Sequence, residues 1–234
     1  MKTANGIASG KAMGVNVKAQ VQRVTLRTVI AAAAALLAAC STVERSRNLG
    51  DPAVPAKVLA AQVCSNCHGL DGNSISPNFP RLAAQPAVYL TTQLKDFRAQ
   101  NRSDPAGFEY MWGLSRHLTD EQIDGLAAYY AGQQAQANRA ADPQLVAKGR
   151  ALFESGVPEK NIPPCSACHG AEAQGNETFP RLADQHADYI MKQLLVFQRT
   201  EQRPAGVVMR TIAHDLTPEN IVAVADFLQS FHAH

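Results

Sequence analysis

Apolar residues recur at helical spacing at two corresponding places in the chain. They are Val88, Leu90, Leu94 and Phe97 in the first half and Tyr189, Ile190, Leu194 and Phe197 in the second. An apolar residue every three or four positions is the pattern of an amphipathic α-helix. No convincing alternation of apolar and polar residues, as in a strand, accompanies it. The pattern therefore predicts an all-α protein.

Helix-start signals extend this prediction to the rest of each half. Thr119 with Gln122 three residues later is a capping box, and Thr217 followed by Pro218 places Pro at the first helical position. We expect a final helix after each threonine. Two further helices are predicted before the cysteine-containing segments, at about residues 55–63 and 143–154.

The two halves are copies of one another. The matching segments are residues 64–68 with 165–169, 79–83 with 179–183, 105–107 with 204–206, and 118–119 with 216–217. A period of about a hundred residues indicates a tandem domain duplication rather than a solenoid. We expect a leader at 1–39, a tether at 40–52, domains at 53–132 and 143–234, and a polar, Ala-rich linker at 133–142.

The most specific chemistry lies in two C-x-x-C-H motifs. They are Cys64, Cys67 and His68, and Cys165, Cys168 and His169. This motif attaches c-type haem, because two thiols three positions apart can each form a thioether with one haem vinyl group. The following histidine can then bind the iron. The sequence predicts two covalently bound haem c groups.

A structural zinc site is the alternative use of these cysteines. The chain has five cysteines, and four of them could form a four-thiolate site. That reading leaves both motif histidines and the downstream repeat without a role. We therefore favour haem.

Two methionines are the candidate sixth ligands of the irons. Met111 and Met209 correspond in the repeat, and each is expected in an irregular segment shortly before the last helix. A thioether favours reduced iron and raises the reduction potential. Core packing is the alternative for both, and it is our assignment for Met191, which lies within a predicted helix. The remaining histidines are interpreted as surface or helix-capping residues: His117, His186, His214, His232 and His234.

The repeated Phe-Pro-Arg-Leu segments offer a partner for each iron-binding histidine. A metal-bound histidine usually donates its other ring nitrogen to an acceptor. The carbonyl groups of Pro80 and Pro180 are the candidates for His68 and His169. A plain turn before a helix is the alternative for both segments.

The amino terminus resembles an export signal. Residues 1–39 hold five basic side chains and no acidic one, and the apolar stretch 29–39 is too short to span a membrane. It ends at Cys40 in the manner of a bacterial lipobox, so we expect lipidation of Cys40 and a lipid anchor. Ordinary signal cleavage nearby is the alternative.

The charge balance changes once the leader is removed. Residues 1–39 carry five of the 22 Lys and Arg and none of the 20 Asp and Glu, so 17 basic and 20 acidic residues remain, a formal net charge of −3. A mildly acidic chain lacks the basic stripe that nucleic-acid binding requires. We expect no nucleic-acid partner.

Taken together, these motifs resemble the dihaem cytochrome c4 family over residues 53–232. The resemblance implies two tandem class I cytochrome c domains, each wrapped around one covalently bound haem, with His68 and Met111, and His169 and Met209, as axial ligands. It implies a periplasmic electron carrier, not an enzyme, with no small-molecule substrate. Its partners would be a quinol-oxidising complex and a terminal oxidase. The lipid anchor departs from many soluble members of the family.

Two other functions remain open from the sequence. The chain could be the electron-accepting subunit of a membrane dehydrogenase complex. It could also be a dihaem peroxidase-type enzyme, which would need an open sixth position and an acid–base group above one iron. The matched methionines and the lack of an obvious distal acid favour an electron carrier.

Overall fold

The computed structural model describes residues 29–30, 48–105, 107–140 and 142–232. The chain divides into two units, Met1–Glu44 and Arg45–His234. The described part of the second unit is helical, and its only β-type pairings are two isolated bridges. The predicted lipidation site Cys40 and nearly all of the predicted leader lie outside the described residues. Within the described ranges, no helix has the length and apolar composition needed to cross a membrane.

The described residues of the first repeat, 53–105 and 107–132, form five α-helices. They are α1 Ala56–Leu59, α2 Ser65–His68, α3 Ala87–Arg98, α4 Trp112–Ser115 and α5 Asp120–Ala131. A π-helical turn, Ala60–Cys64, joins α1 to α2, so the helical path continues to the motif histidine. The predicted helix at residues 55–63 is therefore part of a longer path. A second π-helical turn, Gly107–Met111, leads directly into α4.

The second repeat follows the same order over its described residues, 143–232. Its helices are α6 Pro143–Ser155, α7 Ser166–His169, α8 Ala187–Arg199, α9 Val207–Ala213 and α10 Pro218–Ser230. Short 3-10 turns lie at Pro158–Lys160 and Pro204–Gly206. The turn at Pro158–Lys160 belongs to the longer connection between α6 and α7, which has no counterpart between α1 and α2.

The predicted helix starts are confirmed. The Thr119 side chain accepts a hydrogen bond from the Gln122 amide, and the Gln122 side chain accepts one from Thr119 in return. Thr217 caps α10 with Pro218 at the first helical position. Asn220 completes a capping box there, because its shorter amide still reaches the Thr217 backbone N–H.

Each repeat has its own hydrophobic core. In the first repeat, α5 packs against α1 and α3 around Leu59, Ile123 and Leu126. In the second, α10 packs against α6 and α8 around Phe153, Phe227 and Leu228. Cys64 packs against the first core and Cys165 against the second, so each core positions one C-x-x-C-H motif.

The crossing of α6 and α10 depends on a small residue. A Cβ atom placed on Gly149 would lie 2.0 Å from the carbonyl oxygen of Ala223. Only glycine therefore permits this approach of the two helix backbones.

Candidate functional site

Each C-x-x-C-H motif ends in a single helical turn. His68 is the last residue of α2 and His169 the last residue of α7. On a helix, residues three and four positions apart lie on one face, so both cysteines and the histidine of a motif can meet one flat group. None of the four motif cysteines takes part in a disulfide. Burial raises the pKa of Cys64 and of Cys165 to about 11.

The motif histidines are buried and held in one tautomer. His68 Nδ1 donates to the Pro80 carbonyl at 2.8 Å, and His169 Nδ1 donates to the Pro180 carbonyl at 2.9 Å. A carbonyl oxygen can only accept, so Nδ1 carries the proton and Nε2 keeps a lone pair suited to a metal. Burial lowers the pKa of both rings, which favours the neutral form. The structure thus joins each histidine to the acceptor named from the sequence.

A phenylalanine packs against each of these rings. The ring centroids of His68 and Phe79 lie 6.3 Å apart, and those of His169 and Phe179 lie 6.2 Å apart, both edge to face. No role of their own was apparent for the two phenylalanines from the sequence. Their place before Pro80 and Pro180 in the repeat was the signal that could have identified them.

The methionines lie in helical rather than irregular segments. Met111 ends the π-helical turn before α4, and Met209 lies within α9. The expectation of an irregular segment was wrong, because Gly107 begins the π-helical turn that ends at Met111. Pro204 likewise begins the 3-10 turn that leads into α9. Both side chains are half-buried, and Met209 contacts the second core. Ligation by either methionine stays a prediction, whereas core packing of Met191 is confirmed.

The other histidines divide into exposed and packed residues. His117 and His214 are exposed, as expected, and His234 lies outside the described residues. His186 occupies the N-cap position of α8, but its side chain neither caps the helix nor lies at the surface: it is buried, and its Nε2 donates to the Ser74 carbonyl at 2.8 Å. His232 is half-buried and its Nδ1 pairs with the Asp184 carboxylate at 2.8 Å. Both contacts join distant segments, which the local sequence does not show.

Two buried arginine nitrogen atoms indicate whether the residues at these sites fit a haem. The Nε atoms of Arg81 and Arg181 are buried and have no hydrogen-bond partner among the described residues. Each arginine directly follows the proline that accepts from a motif histidine. A buried guanidinium N–H requires an acceptor, and the carboxylates of a haem have that chemistry. The residues present therefore fit the group.

The four-thiolate zinc alternative finds no support in the geometry. Across the part of the chain that the structure describes, no three His, Cys, Asp or Glu side chains cluster as a metal site. A structural zinc site needs its four ligands around one point. The two cysteine pairs instead lie in separate repeats with separate cores.

Polar side chains at the contact between the repeats form a buried network that was not predicted from the sequence. Arg102 pairs with Asp104 at 2.7 Å and donates to Gln93 at 2.7 Å. Arg203 donates to Gln193 at 2.6 Å and to Gln93 at 2.8 Å. Burial alone would lower the pKa of Arg102, but Tyr189 and Asp104 raise it above the ordinary value. The guanidinium is therefore charged although it is buried.

Comparisons with known proteins agree with this geometry. The family model described as Cytochrome c matches residues 53–132 and 146–232. Cytochrome c4 from Azotobacter vinelandii is 38% identical over 181 residues, covering 74% of this chain and 86% of that protein. The structure of reduced recombinant cytochrome c4 from Pseudomonas stutzeri has a TM-score of 0.69 at 36% identity, covering 78% of this chain and 100% of that one.

A third relative has a more specific name. A thiosulfate dehydrogenase electron acceptor from Stutzerimonas stutzeri (strain A1501) is 36% identical over 180 residues. The similarity covers 72% of this chain and 78% of that protein.

Proposed function

The chain belongs to the dihaem cytochrome c4 family, and from this membership we propose that it carries single electrons in the periplasm, from a quinol-oxidising complex to a terminal oxidase. It is an electron-transfer protein rather than an enzyme, and it holds two covalently bound haem c groups. When bound, each haem supplies a one-electron ferric/ferrous couple. The partners and the location are the proposed part.

The roles of the site residues follow from their chemistry. Cys64 and Cys67 in the first repeat, like Cys165 and Cys168 in the second, hold the haem through thioethers. His68 and His169 bind the irons through Nε2, while Pro80 and Pro180 accept from Nδ1 and orient the rings. Met111 and Met209 would supply the second iron ligand in the first and second repeat. The observation that carries the proposal is that both motif histidines donate from Nδ1 to a proline carbonyl, at 2.8 Å in the first repeat and 2.9 Å in the second. Two such similar sites suit two irons with one shared task.

A second candidate is an electron-accepting subunit of a membrane dehydrogenase complex. The similarity to a protein named as the electron acceptor of thiosulfate dehydrogenase favours it. The two candidates differ in how long the protein stays bound to its electron donor. A mobile carrier must leave its donor after each transfer, whereas a subunit stays bound. Gentle solubilisation of native membranes followed by size separation distinguishes them. A carrier elutes alone, and a stable stoichiometric complex with a dehydrogenase would contradict the carrier proposal.

The proposed electron path can be tested with purified holoprotein. Membranes that contain the quinol-oxidising complex should reduce both haems on addition of quinol, and oxidase-containing membranes should then reoxidise them. Inhibition of the quinol-oxidising complex should block the first step alone. Reduction that persists under this inhibitor and requires a dehydrogenase substrate would favour the subunit instead.

The proposed lipid anchor has its own test. Loss of the thiol in Cys40→Ala should move the haem protein from the membrane to the soluble periplasmic fraction, because anchoring depends on acyl chains at this residue. The neighbouring substitution Ser41→Ala is the matched control and should leave the protein at the membrane. Recovery of the unmodified protein in the soluble fraction would contradict the anchor.

A further inference from the structure

The peptide group between Pro80 and Arg81 is hydrogen-bonded at both ends. Its carbonyl accepts from Nδ1 of His68 at 2.8 Å. Its N–H, on Arg81, donates to Oε1 of Gln185 at 2.9 Å. Gln185 belongs to the second repeat. One rigid peptide unit therefore lies between the proximal histidine of one repeat and a glutamine of the other.

The reciprocal arrangement is present in the second repeat. The Pro180 carbonyl accepts from Nδ1 of His169 at 2.9 Å, and the Arg181 N–H donates to Oε1 of Gln85 at 2.8 Å. Each glutamine also returns a bond, because Gln85 Nε2 donates to the Arg181 carbonyl at 2.8 Å and Gln185 Nε2 to the Arg81 carbonyl at 3.0 Å. A backbone N–H can only donate, so the oxygen of each carboxamide must face it.

Both glutamines are shielded from water. Gln85 is 5% exposed and Gln185 is 4% exposed. In such surroundings hydrogen bonds in a chain polarise one another, and water cannot replace a lost partner at no cost. A bond from the Arg81 N–H to Gln185 makes the Pro80 carbonyl a stronger acceptor. The stronger acceptor increases the basicity of the His68 ring.

From these contacts we infer that Gln185 is a positioning residue for His68 and Gln85 is one for His169, so that each repeat adjusts the reduction potential of the haem held by the other. The inference rests on the ligand roles of His68 and His169 proposed above. A more basic imidazole stabilises ferric iron and lowers the potential. Loss of the glutamine oxygen should therefore raise the potential of the haem in the opposite repeat.

The sign of the change in haem reduction potential distinguishes this role from a purely structural one. A substitution that only loosens the contact between the repeats would expose haem to water. Water favours the more charged ferric form, so the potential would fall. A rise in the reduction potential of the haem in the opposite repeat thus indicates that polarisation of the peptide group is lost. A fall in that potential indicates that the contact between the repeats has loosened.

The test measures both haem potentials in the holoprotein, with haem resonances assigned to each repeat by their contacts with neighbouring side chains. In Gln185→Met, the haem of the first repeat should rise in potential, while Gln85→Met should raise that of the second. The expected change in the ferric-to-ferrous ratio is severalfold, below the tenfold change that equals about 59 mV for a one-electron couple. In the reduced protein, the Nδ1 proton of the affected histidine should move upfield.

Two further variants keep the result interpretable. Gln185→Asn withdraws the carboxamide by one methylene and should give the same sign if the Met variant does not fold. Gln93→Met is the matched control. Gln93 is also a buried glutamine at the contact between the repeats, but it bonds Arg102 and Arg203 rather than a proximal peptide. This control should not reproduce the rise.

Four results would overturn the inference. They are unchanged haem potentials, a fall in potential, a rise confined to the repeat that carries the substitution, and an equal rise in Gln93→Met. If these results occur while the histidine ligation spectrum is intact, the proposed function stands. Absence of histidine ligation in the unsubstituted protein would contradict both.

Discussion

Arg102 and Arg203 stack on corresponding phenylalanines of the two repeats, although the two arginines do not correspond in sequence. The Arg102 guanidinium lies 4.5 Å from the ring centroid of Phe97, and the Arg203 guanidinium lies 4.6 Å from that of Phe197. Both donate to Gln93. Only Arg102 has a buried carboxylate partner, Asp104, at 2.7 Å. The contact is nearly symmetric in its stacking and asymmetric in its charge.

Removal of Asp104 should destabilise the protein strongly. Asp104→Ala leaves the Arg102 charge buried without its carboxylate, which typically costs about 3–5 kcal/mol. Chemical denaturation of the holoprotein followed by circular dichroism measures the change. Glu154→Ala is the control, because it breaks the exposed Arg150–Glu154 pair and should cost less than about 0.5 kcal/mol. Equal effects of the two substitutions would contradict the importance of burial.

The same ion pair predicts a dependence of stability on pH. Burial would raise the pKa of Asp104, but Arg102 outweighs burial and holds that pKa below the ordinary value. The folded pKa is thus lower than the unfolded one, about 3.9. The contribution of Asp104 is fully present above the unfolded value and is lost as the pH falls through the folded pKa. In Asp104→Asn, the free energy of unfolding should depend less steeply on pH below about pH 4. An unchanged slope in that range would contradict the contribution of Asp104.

The close crossing of α6 and α10 predicts a strong size limit at Gly149. Gly149→Ala would force a Cβ atom against the Ala223 carbonyl, so we expect a loss of about 1–3 kcal/mol or more. Gly113→Ala is the control, because a Cβ atom at Gly113 in α4 meets no atom within 4 Å. This control should be neutral or stabilising by up to about 1 kcal/mol. Thermal unfolding compares the two, and tolerance of Gly149→Ala would show that the helices can separate.

Much of this fold could be predicted from the sequence. The helix N-caps at Thr119 and Thr217 are local, so a few residues contain all the information they need. The C-x-x-C-H motifs are equally local, and the repeat indicated that both halves would share one helical fold. The segments before Met111 and Met209 were less predictable, because a π-helical turn and a 3-10 turn lack a distinct sequence pattern.

The contact between the repeats could not be predicted. Gln85 and Gln185 match in the repeat, yet a match does not show that each partner lies in the other copy. His186 offered no such signal, because the residue at its repeat position is Pro86, which has a different chemistry. Its hydrogen bond to Ser74 joins residues far apart in sequence. Long-range contacts of this kind depend on how the folded repeats pack.

The proposed binding of iron by Met111 and Met209 predicts that a substitution at either methionine changes the ligands of one haem only. Met111→His should convert the first-repeat haem to bis-histidine ligation and lower its potential, because imidazole favours ferric iron more than a thioether does. Met209→His should do the same in the second repeat. Met191→Leu is the control, since Met191 packs against the second core. A redox titration with optical detection follows both haems, and an unchanged haem in either histidine variant would remove that methionine from the ligand set.

The role as an electron carrier is tested most directly by the spin state and axial ligands of both irons in the resting ferric holoprotein. Electron paramagnetic resonance and magnetic circular dichroism measure both properties. An electron carrier with matched sites should show two low-spin, six-coordinate haems, each with histidine and methionine ligands. A high-spin, five-coordinate haem at rest would contradict the account, because it would leave an iron position open for substrate.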